Sequence, residues 1–187
     1  MATKYHHGNL RQEVLAAAAD LIASRGVDAL SMRDLARQAG VSHGAPAHHF
    51  GERRGLLTAL ATDGFQRLAT ILEPSVTAEH FDQTAVAYVR FAATHPGHFD
   101  VMFRSECLDL QDRDLRAAQQ RTSQLLAVGV DLIDDDRLVI DRPDARHAAW
   151  SLVHGLAALW LNGVLEGNDL EGLTLAAAHQ LFGPPLL

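Results

Sequence analysis

The stretch SMRDLARQAGVSHGAPAHHF, Ser31 to Phe50, restricts the fold of this chain more than any other. Ser31 stands three residues before Asp34, so its hydroxyl can accept from an early helical amide while the carboxylate reaches back, and that pairing marks a helix start. Leu35, Ala36 and Ala39 give the helix a short buried face, and Gly40 ends it. Ser42 follows at once as a candidate cap for a second short helix. The glycine permits a sharp turn, Val41 plugs the angle between the helices, and the second helix turns small or polar groups outward. These are the requirements of a helix-turn-helix. A plain αα-hairpin meets the same spacing, so this segment alone leaves both readings open.

The flanks are helical too. Leu10, Val14, Ala18, Leu21 and Ile22 form one stripe that Gly26 terminates. From Glu52 a longer helix carries Leu57, Leu60, Ala61, Leu68 and Ile71 inward until Pro74 stops it. A second region begins near Phe81, with helices expected over 82–95, 96 to about 104, 112–134, 143–166 and 169–182. The third of these carries Leu115, Ala118, Thr122, Leu125, Gly129 and Ile133. It should stop before Asp134-Asp135-Asp136, since acids oppose the negative end of a helix. Pro143 suits a first helical position. No alternating pattern of a strand competes with these stripes. The expected fold is therefore all-α: an N-terminal three-helix domain, 1–60, with the helix-turn-helix at about 31–50, followed by a helical domain, 61–187.

The formal charge of −7 at first argues against a polyanionic partner, but it is unevenly spread. Residues 1–60 hold seven Lys or Arg against five acids, with five of the eleven histidines, whereas the remainder holds nine Arg against eighteen acids. A basic head on an acidic body suits a polyanion binder with a separate sensing or pairing domain, although chance surface variation gives the same totals. The single cysteine, Cys107, excludes an intrachain disulfide and a multi-cysteine zinc site, and one free thiol suits a reducing interior. Arg104 is its one close positive charge, which points to an inert thiol. The N-terminus lacks the apolar core of a secretion signal, and no apolar run is long enough for a bilayer, so a cytoplasmic location is expected. Nucleophile elbows, phosphate loops and Cys-His signatures are missing, so no enzymatic activity and no cofactor are expected. His6-His7 reads as a solvated arm. His95 and His98 bracket Pro96-Gly97 without a carboxylate or cysteine partner in sequence, so no metal site is expected there.

From Tyr5 to Leu60 the chain resembles the DNA-binding domain of the TetR (tetracycline repressor) family. The resemblance rests on the leading helix ending in Arg25-Gly26, the Leu30-Ser31-x-Arg33-x-Leu35-Ala36 entry, Ala39-Gly40-Val41-Ser42, and His49-Phe50 leading into Arg53 and Leu56-Leu57. The remainder is similar to a TetR-type C-terminal domain through His95-Pro96-Gly97 before Phe99-x-x-Met102-Phe103, and through Trp150-x-x-x-His154-Gly155. That last run is closest to a subgroup named for its Trp-His-Gly residues. The resemblance implies a homodimeric transcriptional regulator, usually a repressor, bound to a near-palindromic DNA operator. Its last two helices would pair with a second copy, and its body would hold a small effector that releases the DNA.

Carried over residue by residue, the resemblance lays Ser42 to His49 in the major groove, with His43, Gly44, Ala45 and His48 nearest the base edges. Alanine can meet a thymine methyl, and histidine can donate to or accept from a base edge. Ser31, His49 and Arg53 fall where the family places phosphate contacts, which orient the protein without reading sequence. Two departures stand out: Ala47 occupies a usual tyrosine position, and Arg53 replaces a usual lysine. Pro46 removes an amide near the start of the second helix, which should begin late or tighten there. A dimeric interaction module of the same fold, with DNA binding weakened or lost, is the alternative that Ala47 and the acidic total leave standing. For the effector, Phe99, Met102, Phe103, Trp150 and His154 offer aromatic area and one polar group, although each is equally at home in a core. For pairing, Trp150, Val153, Ala157, Trp160 and Val164 form one apolar stripe and Leu152, Leu156, Leu159 and Gly163 another. A single small body cannot hide both.

Overall fold

A computed structural model describes residues 7–77, 80–138, 140–165, 167 and 169–183; Tyr5 and His6 of the expected N-terminal arm lie outside them. The helices are α1 (His7–Arg25), α2 (Met32–Gln38), α3 (Ala45–Phe50), α4 (Arg53–Leu72), α5 (Phe81–Thr94), α6 (Pro96–Met102), α7 (Arg113–Asp131), α8 (Arg142–Leu161) and α9 (Leu170–Phe182), with short 3-10 turns between several of them. No strand occurs among the described residues, and none of their helices is long and apolar enough to cross a membrane.

The chain forms two compact units, one of Met1–Phe65 with His95–Ala117, the other of Gln66–Thr94 with Ala118–Leu187. In the first, the expected α1 stripe is buried through Val14, Ala18, Leu21 and Ile22, and Leu35 and Ala36 of α2 and Leu56, Leu57 and Leu60 of α4 are buried as well. Each large aliphatic side chain sealed in this way contributes roughly 1.5–3 kcal/mol before entropy is set against it. Chain order assigns α6 to the body, yet it belongs to this first unit. Gly97 makes that possible. A Cβ there would lie 2.0 Å from the backbone oxygen of Ala19, so only glycine lets α6 approach α1 so closely.

In the second unit, α5 buries Val86, Val89, Phe91 and Ala92. Helix α8 buries Ala145, Ala149, Val153 and Ala157, and α9 buries Leu170, Thr174, Ala178 and Phe182, both at the four-residue spacing of one helical face. At one end Val130, Ile133, Ala145, Ala149 and Phe182 cluster with Phe81, Leu126 and Leu138. Gly129 leaves room for the Phe81 ring, which would lie 1.8 Å from a Cβ. Helix α7 stops at Asp131, before the three acids as expected, and Arg142 donates to the carbonyls of Val130 and Ile133 just at and beyond the helix end.

Three expectations shift. Ile71 is 40% exposed, because the inward face of α4 runs through Leu68, Ala69 and Leu72 and carries Ile71 off it. Pro143 takes the second helical position, not the first, since Asp141 is the cap and accepts from the Asp144 amide at 2.9 Å. The helix expected over 143–166 ends at Leu161, and its stripes divide differently: Val153 and Ala157 are buried, Trp150 and Leu159 are exposed, and Val164 is exposed beyond the helix end.

Candidate nucleic-acid interface

The helix-turn-helix is built by backbone chemistry at three points. Ser31 caps α2: its Oγ accepts from the Asp34 amide at 3.1 Å and donates to the Asp34 carboxylate at 2.9 Å. The carboxylate thus takes the serine hydroxyl instead of reaching the backbone amide, and its other oxygen takes Arg37 at 2.8 Å. At the far end Gly40 has φ 65°, its amide donates to the Arg37 carbonyl at 3.3 Å, and the Val41 amide donates to Ala36 at 3.0 Å. These two bonds around a left-handed glycine make a Schellman turn, which fixes the direction in which the chain leaves α2. The third point corrects an expectation. Ser42 does not cap α3; Gly44 does, and the Ala45 amide closes a turn onto the Ser42 carbonyl at 3.0 Å. Helix α3 starts late for the reason given by Pro46, which sits at its second position where no amide is needed.

This geometry leaves Ser42, His43, Gly44, Ala47 and His48 exposed, with Ala45 and His49 half-buried. The His48 and His49 rings meet edge to face at 5.5 Å. Among the expected phosphate contacts, Ser31 is half-buried at the α2 cap, and Arg53 turns part of its guanidinium inward. Arg53 Nη2 donates to the Val27 carbonyl at 2.6 Å and Nε to the Leu30 carbonyl at 3.1 Å. Arg54 likewise spends Nε and Nη2 on the Leu108 carbonyl, at 3.0 and 2.6 Å. Sequence reasoning missed both roles, because nothing in a local charge pattern marks which carbonyls, distant in sequence, a guanidinium will reach.

The five residues expected to meet an effector fall in both units. In the first, Phe99 and Met102 are buried, and Phe103 sets its ring edge to face against Phe65 and Phe99 at 5.5 and 5.4 Å. Close by, His98 is buried with Nε2 3.1 Å from Asp63, so the carboxylate partner not visible in sequence comes from α4. Among the described residues, no group of three or more His, Cys, Asp or Glu is placed to hold a metal ion.

In the second unit, Trp150 and His154 stand one helical turn apart on α8, and Tyr88 of α5 joins them. Tyr88 is buried, with its Oη 3.0 Å from His154 Nδ1. Burial pushes the Tyr88 hydroxyl well above the usual tyrosine range, opposed by the hydrogen bond that the Trp150 indole donates. Burial also lowers the pKa of His154. A neutral His154 that accepts at Nδ1 from Tyr88 carries its own proton on Nε2. The arrangement thus runs indole N–H to phenol to imidazole in a single direction. Two cations that an anionic ligand would need are both matched, each within its own unit: Arg90 forms a fork with Glu171 at 2.7 and 2.8 Å, and Arg104 Nε reaches Asp100 at 3.0 Å.

Comparison with known proteins matches residues 14–60 to the model described as bacterial regulatory proteins, tetR family. Residues 81–180 match the tetracyclin repressor-like C-terminal domain. The chain is 26% identical over 171 residues to the HTH-type transcriptional regulator BetI of Escherichia coli, covering 86% of this chain and 85% of the relative. It is 35% identical over 71 residues to the HTH-type transcriptional repressor AcnR of Corynebacterium glutamicum, a match that spans 38% of each. A solved structure of a protein of unknown function from Rhodococcus sp. RHA1 superposes with a TM-score of 0.80 at 34% identity, covering 97% of both chains.

Proposed function

The chain belongs to the TetR family and is a DNA-binding transcriptional regulator; from that premise we propose that it represses transcription until a small, mostly apolar molecule releases it. The observation that carries the reading is the exposure of Ser42, His43 and Gly44 before α3 and of Ala47 and His48 on it, beyond a Schellman turn at Gly40 that fixes the direction of the chain. Residues 1–60 supply the reading head and 61–187 the sensing and pairing functions. His43, Gly44, Ala45 and His48 meet base edges, with Ser42 in the same groove, while Ser31, His49 and Arg53 meet phosphates. Repression is supported by AcnR, the relative named as a repressor. The role is binding rather than catalysis, in the cytoplasm where the DNA lies.

The effector site is read on the second unit at Tyr88, Trp150 and His154, where a ring surface adjoins one oriented polar chain. A ligand releases DNA only by binding the DNA-incompetent state more tightly, so ligand and DNA must weaken each other by the same factor. The homodimer is read through α8 and α9, where the exposed Leu159 and Leu173, with Val164 just after α8, await an apolar partner surface.

The test is selection of a duplex from a randomised double-stranded pool, followed by titration. The wild-type chain should recover a near-palindromic site and bind it with a steep salt dependence. His48→Ala should change which bases are recovered and cost about 1–3 kcal/mol on the original site. A wild-type chain that dimerises and recovers no duplex would establish the interaction module instead.

A further inference from the structure

The linker between α1 and α2 is held at one residue from two sides. Val27 is fully buried, in the 3-10 turn Val27–Ala29. Its amide donates to Asp100 Oδ2 of α6 at 3.3 Å, and its carbonyl accepts from Arg53 Nη2 of α4 at 2.6 Å. Arg53 Nε also takes the carbonyl of Leu30, the residue just before the Ser31 cap. Arg53 is itself the first residue of α4, reached directly after α3. One guanidinium therefore ties the entry of the helix-turn-helix to its exit, and Asp100 ties that closed segment to α6.

Asp100 is held in turn. Its Oδ1 accepts from Arg104 Nε at 3.0 Å, and Arg104 Nη1 stands 3.7 Å from Asp28, the residue after Val27. Helix α6 cannot drift freely, since Gly97 seats it on α1, His98 pairs with Asp63, and Met102 fills the space that Gly64 leaves. Two charge-assisted bonds on one buried residue set a pose more firmly than the burial of Val27 would alone.

We propose that Asp100 and Arg53 are positioning residues for DNA recognition, gripping Val27 by its amide and carbonyl so that α6 sets the orientation of the helix-turn-helix. The inference rests on the regulator reading. It assigns a carboxylate a supporting role in binding a polyanion, which is the reverse of its direct electrostatic effect. Removing a negative charge from the head should strengthen binding if Asp100 acts only through its charge. Loss of the grip weakens binding where shape matters and leaves binding to arbitrary DNA almost as it was.

The experiment uses the full chain, the duplex selected by the wild-type protein and a random-sequence duplex of equal length. Asp100→Ala should lower affinity for the selected duplex about tenfold, the scale of one lost charged hydrogen bond. Affinity for the random duplex should stay within about twofold, with the salt slope unchanged. Asp100→Asn, whose amide oxygen can still accept from Val27, should lose less than Asp100→Ala. Arg53→Lys keeps the charge, but one ammonium lacks the fork that spans two carbonyls, so it should lose specific affinity at constant salt slope. Unchanged or raised affinity of Asp100→Ala for the selected duplex overturns the proposal, as does a parallel loss on both duplexes with a lowered melting temperature. If the aspartate variants do not fold, Arg53→Lys decides, and wild-type affinity in that variant overturns the proposal. A wild-type chain that binds no duplex overturns the regulator reading first, and this inference with it.

Discussion

A buried tyrosine hydroxyl requires a partner, and the partner of Tyr88 lies 66 residues away at His154, so no local pattern announces the pair. Tyr88 sits in an otherwise apolar α5 face and reads from sequence as filler, whereas His154 is visible through its spacing from Trp150. Because burial lowers the pKa of His154 from the ordinary 6.5, the folded state disfavours the imidazolium. Its contribution to stability is complete above that value and falls away as pH drops through the lowered one. Glu171 behaves in the same sense at lower pH, since its hydrogen bond from Arg90 holds its pKa below the ordinary 4.5. Thermal unfolding should therefore show the protein losing stability as pH falls below the ordinary histidine value of 6.5, with His154→Gln flattening that segment and leaving the acid limb in place. An unchanged slope in His154→Gln would remove His154 as its source. Arg53 shows the opposite kind of miss. Its charge was legible and suggested a phosphate contact, but the use of its fork on two linker carbonyls depends on a tertiary approach of α4 to the turn that the sequence does not display.

Among elements, the long helices were legible because their apolar stripes recur over many turns. Their ends were fixed by chemistry that is only partly local. Gly40 and Ser31 gave the limits of α2 from residue type alone. The start of α3 was misplaced at Ser42, because a Gly44 cap offers no side-chain signal and Pro46 is informative only once the helix position is known. Helix α6 was legible as a helix, yet the unit it belongs to was not. The signal lay in Gly97, a glycine at the second position of a helix, where an alanine would favour helix formation. Its reason is the approach to Ala19, a backbone atom that cannot rotate aside. Gly97→Ala should accordingly cost about 1–3 kcal/mol by chemical denaturation, despite its gain in helix propensity. It should weaken specific DNA binding through the same displacement of α6. Full stability in Gly97→Ala would show that the α1–α6 approach is not a tight one.

For the molecule as a whole, the separation of a basic head from an acidic remainder is a statement about partners more than about fold. The exposed apolar side chains of the second unit make the complementary statement for a protein partner. Val164 at 65% exposure, Leu159 at 43% and Leu173 at 36% lie outside the buried core, so charging them tests pairing without emptying the interior. Leu159→Glu combined with Leu173→Glu should leave the helical signal and melting of the isolated chain nearly unchanged. Sedimentation should shift from dimer to monomer, and affinity for the selected duplex should fall at least tenfold as paired half-sites are lost. A doubly charged variant that remains dimeric would move the pairing surface elsewhere.

The first unit draws on two separated stretches of chain, and this has a consequence for synthesis. When the first sixty-five residues have left the ribosome, Val27 still has no Asp100, Ala19 has no Gly97 to close against, and the aromatic ring of Phe65 has no Phe103. A nascent head can form helices during that interval, but the element that orients it emerges only after α5 has been translated. Recognition of DNA is thereby deferred until more than half of the polypeptide exists, and a transcript broken early yields a fragment without the reading geometry.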